Sequence, residues 1–142
     1  MNTQLVLSPI HKKAALTLIE GIAGGRVLVL HGGPGSGKTT VLRHVHQQRG
    51  GAFIGVRGFR DAVEGAFLRA IEEAIHAHDL VLVDDLHLVT RAARSSTRRY
   101  LLDAALTSLL GEASVLHKTL VFALRGGAPW PIGRRATTWA ID

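Results

Sequence analysis

A chain of 142 residues, 46% hydrophobic and 20% charged, is sized for one domain with a real core. It contains no cysteine, which excludes disulfides and thiolate metal sites, and no apolar run approaches the ~18 residues of a membrane span. The net charge of +6, carried mainly by arginine, favours anionic partners such as nucleic acid, acidic protein or phospholipid, or else gives a solvated basic surface.

Met1 to Leu5 lacks the charged and apolar regions of a signal peptide, which together with the missing cysteines fits the cytoplasm. Ser8-Pro9 has the form of a helix start, with Ser8 as N-cap and Pro9 at the first helical position. Ala14, Ala15, Leu18, Ile19 and Ile22 recur at helical spacing, so an amphipathic helix is expected from Ile10 to Ile22, ended by Gly24-Gly25. Arg26 to His31 is a β-branched and leucine run that predicts a buried parallel strand. Gly32-Gly33-Pro34-Gly35-Ser36-Gly37-Lys38-Thr39 then fits G-x-x-x-x-G-K-[ST] at every fixed position, the phosphate-binding P-loop or Walker A motif. Its glycines let successive backbone N–H groups converge on an anion. Lys38 is placed to reach β- and γ-phosphates, and the Thr39 hydroxyl to hold Mg²⁺. Thr40 to Val45 reads as a helix whose positive end faces those phosphates, which puts Thr40 in the binding set.

Gln47 to Gly51 is a polar loop, Ala52 to Val56 a second strand, and Asp61 caps a helix through about Ala77 that Asp79 closes. Leu80-Val81-Leu82-Val83-Asp84-Asp85 is an apolar strand ending in two carboxylates, the Walker B pattern. Alone it also reads as a buried strand with an acidic turn. In the Walker reading Asp84 holds Mg²⁺ and Asp85 orients and polarises the attacking water. Thr90 to Arg99 is polar and basic. The cluster Arg91, Arg94, Arg98 and Arg99 is suited to grip a polynucleotide or an acidic protein, or to form a solvated face; Tyr100 is the nearby ring. A helix is expected from Ser96 to Gly111, a strand from Lys118 to Arg125, a loop from Gly126 to Gly133, and a fifth strand from Ala136 to Ile141. The eight histidines show no metal-ligand spacing; His44 and His46 lie two apart on one helix and do not share a face.

On the two Walker motifs and their order, nearly the whole chain resembles the ATPase core of the AAA+ superfamily and its relatives, the STAND signalling ATPases. Ser8-Pro9-Ile10-His11-Lys12-Lys13-Ala14-Ala15-Leu16 is similar to AAA ATPases of secretion and transposition systems, and Asp84-Asp85-Leu86-His87 resembles the Asp-Asp version in STAND proteins and some replication initiators. The resemblance implies a single α/β domain over residues 1–142: a three-layer α/β/α core with a five-stranded parallel sheet in the order 5-1-4-3-2. It implies hydrolysis of MgATP coupled to conformational change or assembly, and a homo-oligomer. Lys38 and Asp85 are then catalytic, and Leu7, Ile10 and His11 lie beside the adenine or belong to a covering helix with no ligand role. Arg125 maps to a γ-phosphate sensor in the STAND style, or caps its strand. Arg134 or Arg135 maps to an arginine finger for a neighbouring subunit, or is a surface pair. The helical lid that AAA+ proteins normally carry after the last strand is not in this sequence, which implies an excised core or a reduced natural form. A nucleotide-dependent switch with little turnover is one alternative. A small P-loop kinase is another, and the acid pair argues against it.

Overall fold

The computed structural model describes residues 8–22, 24–33, 35–55, 63–92, 96–125 and 128–141, excluding the side chains of 63, 64, 90–92, 96 and 139–141. The elements run α1 (Pro9–Gly21), β1 (Val27–Gly32), α2 (Lys38–Arg49), β2 (Ala52–Gly55), α3 (Val63–Ala77), β3 (Leu80–Asp84), α4 (Leu86–Ala92), α5 (Ser96–Val115), β4 (Thr119–Leu124), α6 (Trp130–Gly133) and β5 (Thr137–Ile141). All strand pairs are parallel and the sheet order is β2-β3-β4-β1-β5, which is the expected order. Each return to a parallel neighbour needs a crossover, and the helices supply it.

The strand residues alternate between two cores, as the period of a strand requires. Val27 and Val29 of β1, Val81 and Val83 of β3, and Leu120, Phe122 and Leu124 of β4 face a cluster completed by Phe67, Ile71 and Ile75 of α3 and Leu102, Leu106 and Leu110 of α5. Leu28, Leu30, Leu80, Leu82, Val121 and Ala123 face the opposite cluster, closed by Ala15 and Leu18 of α1 and Val41, Leu42 and Val45 of α2. Both faces are covered, which is why these strands read as unbroken apolar runs. Burying one such side chain contributes about 1.5–3 kcal/mol.

Several boundaries differ from expectation for local reasons. The helix starting at Ser96 does not stop at Gly111 but runs to Val115, and His117 ends the turn with φ +57°. A single glycine inside a packed helix costs only about 1 kcal/mol. Leu86–Ala92 is a helix where the sequence offered no element; two turns, with Leu86 and Val89 buried, are too short to show periodicity. The stretch read as a loop from Gly126 to Gly133 contains the single turn α6, whose early Pro131 a helix start tolerates. The expected cap Asp61 lies outside the described residues.

Candidate functional site

The C-terminal ends of the parallel strands bring together what the sequence separates. β1 ends at Gly32 and the loop passes into α2, whose N-cap is Gly37 at φ +91° in the left-handed region. A side chain is strained there, and a Cβ on Gly37 would also come within 2.5 Å of His11 Nε2. Gly32 is crowded rather than strained: a Cβ there would press on the Ser36 hydroxyl and meet Ser36 Cβ and Lys38 Cγ at 3.0 Å. That Ser36 hydroxyl is itself buried and without a hydrogen-bond partner. Pro34 lies outside the described residues.

Lys38 opens α2 and is 8% exposed. Its Nζ donates to the carbonyls of Gly32 at 2.7 Å and Gly33 at 3.0 Å, so the ammonium lies across the concave side of the loop. Next to it the Thr39 hydroxyl donates to Asp84 Oδ2 at 2.7 Å, joining the two Walker motifs across 45 residues. Asp84 Oδ1 accepts the backbone N–H of Asp85 at 3.0 Å. Asp84 is 3% exposed, and burial is the main cause that pushes its carboxyl above the ordinary value of 3.8. The Asp85 charge adds to this, while the Thr39 and Asp85 hydrogen bonds and Lys38 oppose it. Among the described residues no salt bridge neutralises Asp84. A buried carboxylate beside a hydroxyl is a hard oxygen donor pair, and such a pair fits Mg²⁺. Thr40, half-buried, follows in the first turn of α2.

Asp85 turns the chain. Its φ is +57°, a conformation aspartate tolerates better than most residues. Its carbonyl accepts the N–H of Leu88 at 3.0 Å, which starts α4 directly at the strand end. Arg125 follows β4 at the same edge, half-buried, and its backbone N–H donates to His87 Nδ1 at 3.1 Å. The position expected to sense phosphate is thereby tied to the helix after Asp84-Asp85. His87 had no assigned role in the sequence; the bond spans 38 residues, and no local pattern marks it.

His11, expected beside a base, touches the loop. Its Nε2 donates to the Ser36 carbonyl at 2.5 Å and its Nδ1 faces the Ser8 hydroxyl at 2.7 Å. Ser8 caps α1 as expected, accepting from the His11 N–H. Ile10 is 59% exposed, and Leu7 lies outside the described residues.

The remaining arginines are elsewhere. Arg135 lines a hollow with Gly25, Arg26 and Val27, where β1 begins. Arg134 is exposed, with its guanidinium 5.1 Å from the centre of the Trp130 ring. Both precede β5 and so lie at the N-terminal edge of the sheet, a strand length of roughly 17–20 Å from the P-loop of their own chain. Arg98 and Arg99 are exposed at the start of α5, beside a Tyr100 that is 73% exposed. Arg94 and the Arg91 side chain are outside the described residues. No helix among the described residues is long and apolar enough to cross a membrane.

The model of the family described as ATPase family associated with various cellular activities (AAA) matches residues 28–125. No curated protein matches the chain in sequence. Among solved structures it is similar to domain III of the Thermotoga maritima replication initiation protein DnaA, with 18% identity, TM-score 0.63, and coverage of 96% of this chain and 64% of that one. It is also similar to DnaA from Aquifex aeolicus bound to AMPPCP, at 15% identity and TM-score 0.58, covering 99% of this chain and 51% of that one. A replication initiator DnaA bound to AMPPCP and single-stranded DNA gives 15% identity and TM-score 0.61, with 98% and 48% covered. At these identities the likeness is one of fold, and the chain spans about half to two thirds of each structure's length.

Proposed function

The chain belongs to the ATPase family associated with various cellular activities, and from that premise we propose that it binds MgATP at the C-terminal edge of the sheet and hydrolyses it to drive conformational change or assembly. The observation that carries this reading is the 2.7 Å bond between Thr39 of the P-loop and Asp84 of β3. It sets two oxygen donors for Mg²⁺ beside a loop that holds the Lys38 ammonium and an unpartnered Ser36 hydroxyl. The loop from Gly32 to Thr39, with Pro34 and Thr40 included, is the proposed phosphate cradle. Mg²⁺, when bound, supplies charge neutralisation on the phosphates.

The chain's own groups divide the remaining work. Lys38 exchanges its two loop carbonyls for phosphate oxygens, which keeps its ammonium hydrogen-bonded in both states. Asp85, one residue beyond the metal position, orients and polarises the attacking water. Arg125, held at the strand end through His87, is the proposed γ-phosphate sensor. Arg134 or Arg135, remote from its own P-loop, acts only on a neighbouring copy, so this role requires a homo-oligomer. Arg98 and Arg99, with Arg91 and Arg94, are the proposed grip for a polynucleotide or acidic client in the cytoplasm. A DnaA of the same fold is seen with single-stranded DNA, which supports the first of these.

Single-turnover hydrolysis of labelled ATP, with and without single-stranded DNA, tests the reading. Phosphate release at a rate that depends on Asp85 supports an ATPase. Tight binding with no release, alone or with DNA, leaves a nucleotide-dependent switch.

A further inference from the structure

The opposite edge of the sheet carries a second concentration of positive charge, of which the proposed ATP chemistry draws only on Arg135, and that only toward a neighbouring copy. A hollow of about 300 Å³ opens between the start of β1, the end of α5 and the approach to β5. Arg26, Lys118 and Arg135 line it, together with the hydroxyl-bearing Ser114 and Thr137. These residues come from three separate parts of the chain, so the cluster is a product of the fold. Arg26 is held in place by long contacts of 3.4 Å to the Gly21 carbonyl and the Thr137 hydroxyl. Lys118 pairs with Asp79 at 2.9 Å, and that carboxylate is 98% exposed. Among the described residues no carboxylate pairs with Arg26 or Arg135. Among the described residues, three cations thus line one hollow, and only Lys118 is paired, with a solvated acid.

We propose that this hollow is a binding site for a small phosphate-bearing anion, separate from the P-loop. Two guanidinium forks and an ammonium match the several oxygens of a phosphate group, and the flanking hydroxyls supply neutral donors. The floor is apolar, from Val27 and Leu110, and lowers the local dielectric under the charges. The size is at the low end for small-ligand sites. A polynucleotide is gripped along a charged groove with aromatic platforms, and this recess has neither. The site shares Arg135 with the proposed finger but needs no nucleotide, and it survives if the ATP reading fails.

The test is titration of the full chain with inorganic phosphate, followed through backbone amide NMR signals. Phosphate also enters the P-loop, which makes the Gly35 and Gly37 amides an internal control for the fold. The amides of Gly25 and Thr137 are expected to shift in a saturable manner, and to do so unchanged in Lys38→Ala. Arg26→Gln and Arg135→Gln, made separately, should each weaken that second set roughly tenfold, the usual effect of losing a hydrogen bond to a charged group. If the Gly25 and Thr137 signals do not move with phosphate, the site is overturned. It is equally overturned if they move alike in both arginine variants while the P-loop set is retained. Single-stranded oligonucleotide is the second arm: shifts of the same amides at lower concentrations than phosphate requires would replace the small anion by a polynucleotide backbone.

Discussion

At the C-terminal end of β1 positive charge is presented by backbone and one lysine; at its N-terminal end it is presented by Arg26, Lys118 and Arg135. The first arrangement is rigid. Gly37 is held at φ +91°, Lys38 is buried, and His11 clamps the Ser36 carbonyl from α1. The second is built from long side chains around a hollow, two exposed arginines and a half-buried lysine. A loop of oriented N–H groups loses little entropy when an anion arrives, whereas two arginines must each be ordered. The comparison separates a preorganised site suited to chemistry from a surface suited to reversible occupancy.

The comparison breaks most visibly at Asp85. Asp85→Asn should retain MgATP binding and lower single-turnover hydrolysis by roughly 10²–10⁴-fold, the range for a positioned acid–base group. Parent and variant hydrolysing at equal rates would remove Asp85 from the chemistry. Next in size is Lys38→Ala. Two lost charge-assisted contacts at about 1.5–3 kcal/mol each predict a drop in ATP affinity of roughly a hundredfold or more by calorimetry, with the fold kept. Unchanged affinity would defeat the P-loop assignment.

Gly37→Ala probes the rigidity itself. The left-handed backbone costs about 1–2 kcal/mol for a residue with a Cβ, and that Cβ also meets the His11 ring. The variant should lose stability by about that amount or more in urea and bind ATP more weakly; a neutral outcome would show that the loop relaxes freely. The arginines at the other edge are tested by mixing an Arg134→Ala/Arg135→Ala protein with the Asp85→Asn protein. Partial recovery of hydrolysis in co-assembled mixtures places the pair at a shared site, and its absence confines them to their own subunit.

The smallest effect concerns Asp84. Burial raises its carboxyl above 3.8, so the folded chain keeps a proton that the unfolded chain has lost. Its contribution is therefore favourable below pH 3.8 and is lost as pH rises through the folded value. Without metal, Asp84→Asn should melt a few °C higher than the parent at neutral pH, with the gain shrinking as pH falls toward 3.8. Mg²⁺ favours the charged form and should narrow the same gap. A variant less stable than the parent at neutral pH would show that the Thr39 and Asp85 hydrogen bonds outweigh the burial of charge.

The P-loop was legible because its chemistry is local: eight consecutive residues carry the glycines, the lysine and the hydroxyl. The strands were legible because both faces of a parallel sheet are buried, which leaves apolar runs such as Leu80 to Val83. Sheet order came from resemblance, since periodicity says nothing of which strands are neighbours, and the pairing of β1 with β4 and β5 bears it out. What only the tertiary structure decided is long-range. The Thr39–Asp84 bond, the His11–Ser36 clamp and the His87–Arg125 tie span 45, 25 and 38 residues. Arg134 or Arg135 was read as a finger for a neighbouring subunit, or as a surface pair, by its place before the last strand; a parallel sheet puts every strand start at one edge and every strand end at the other. That geometry sets Arg135 beside Arg26 and Lys118, far from its own Lys38. Sequence carries the residue types, and close packing alone determines which distant ones share a solvent boundary and a field.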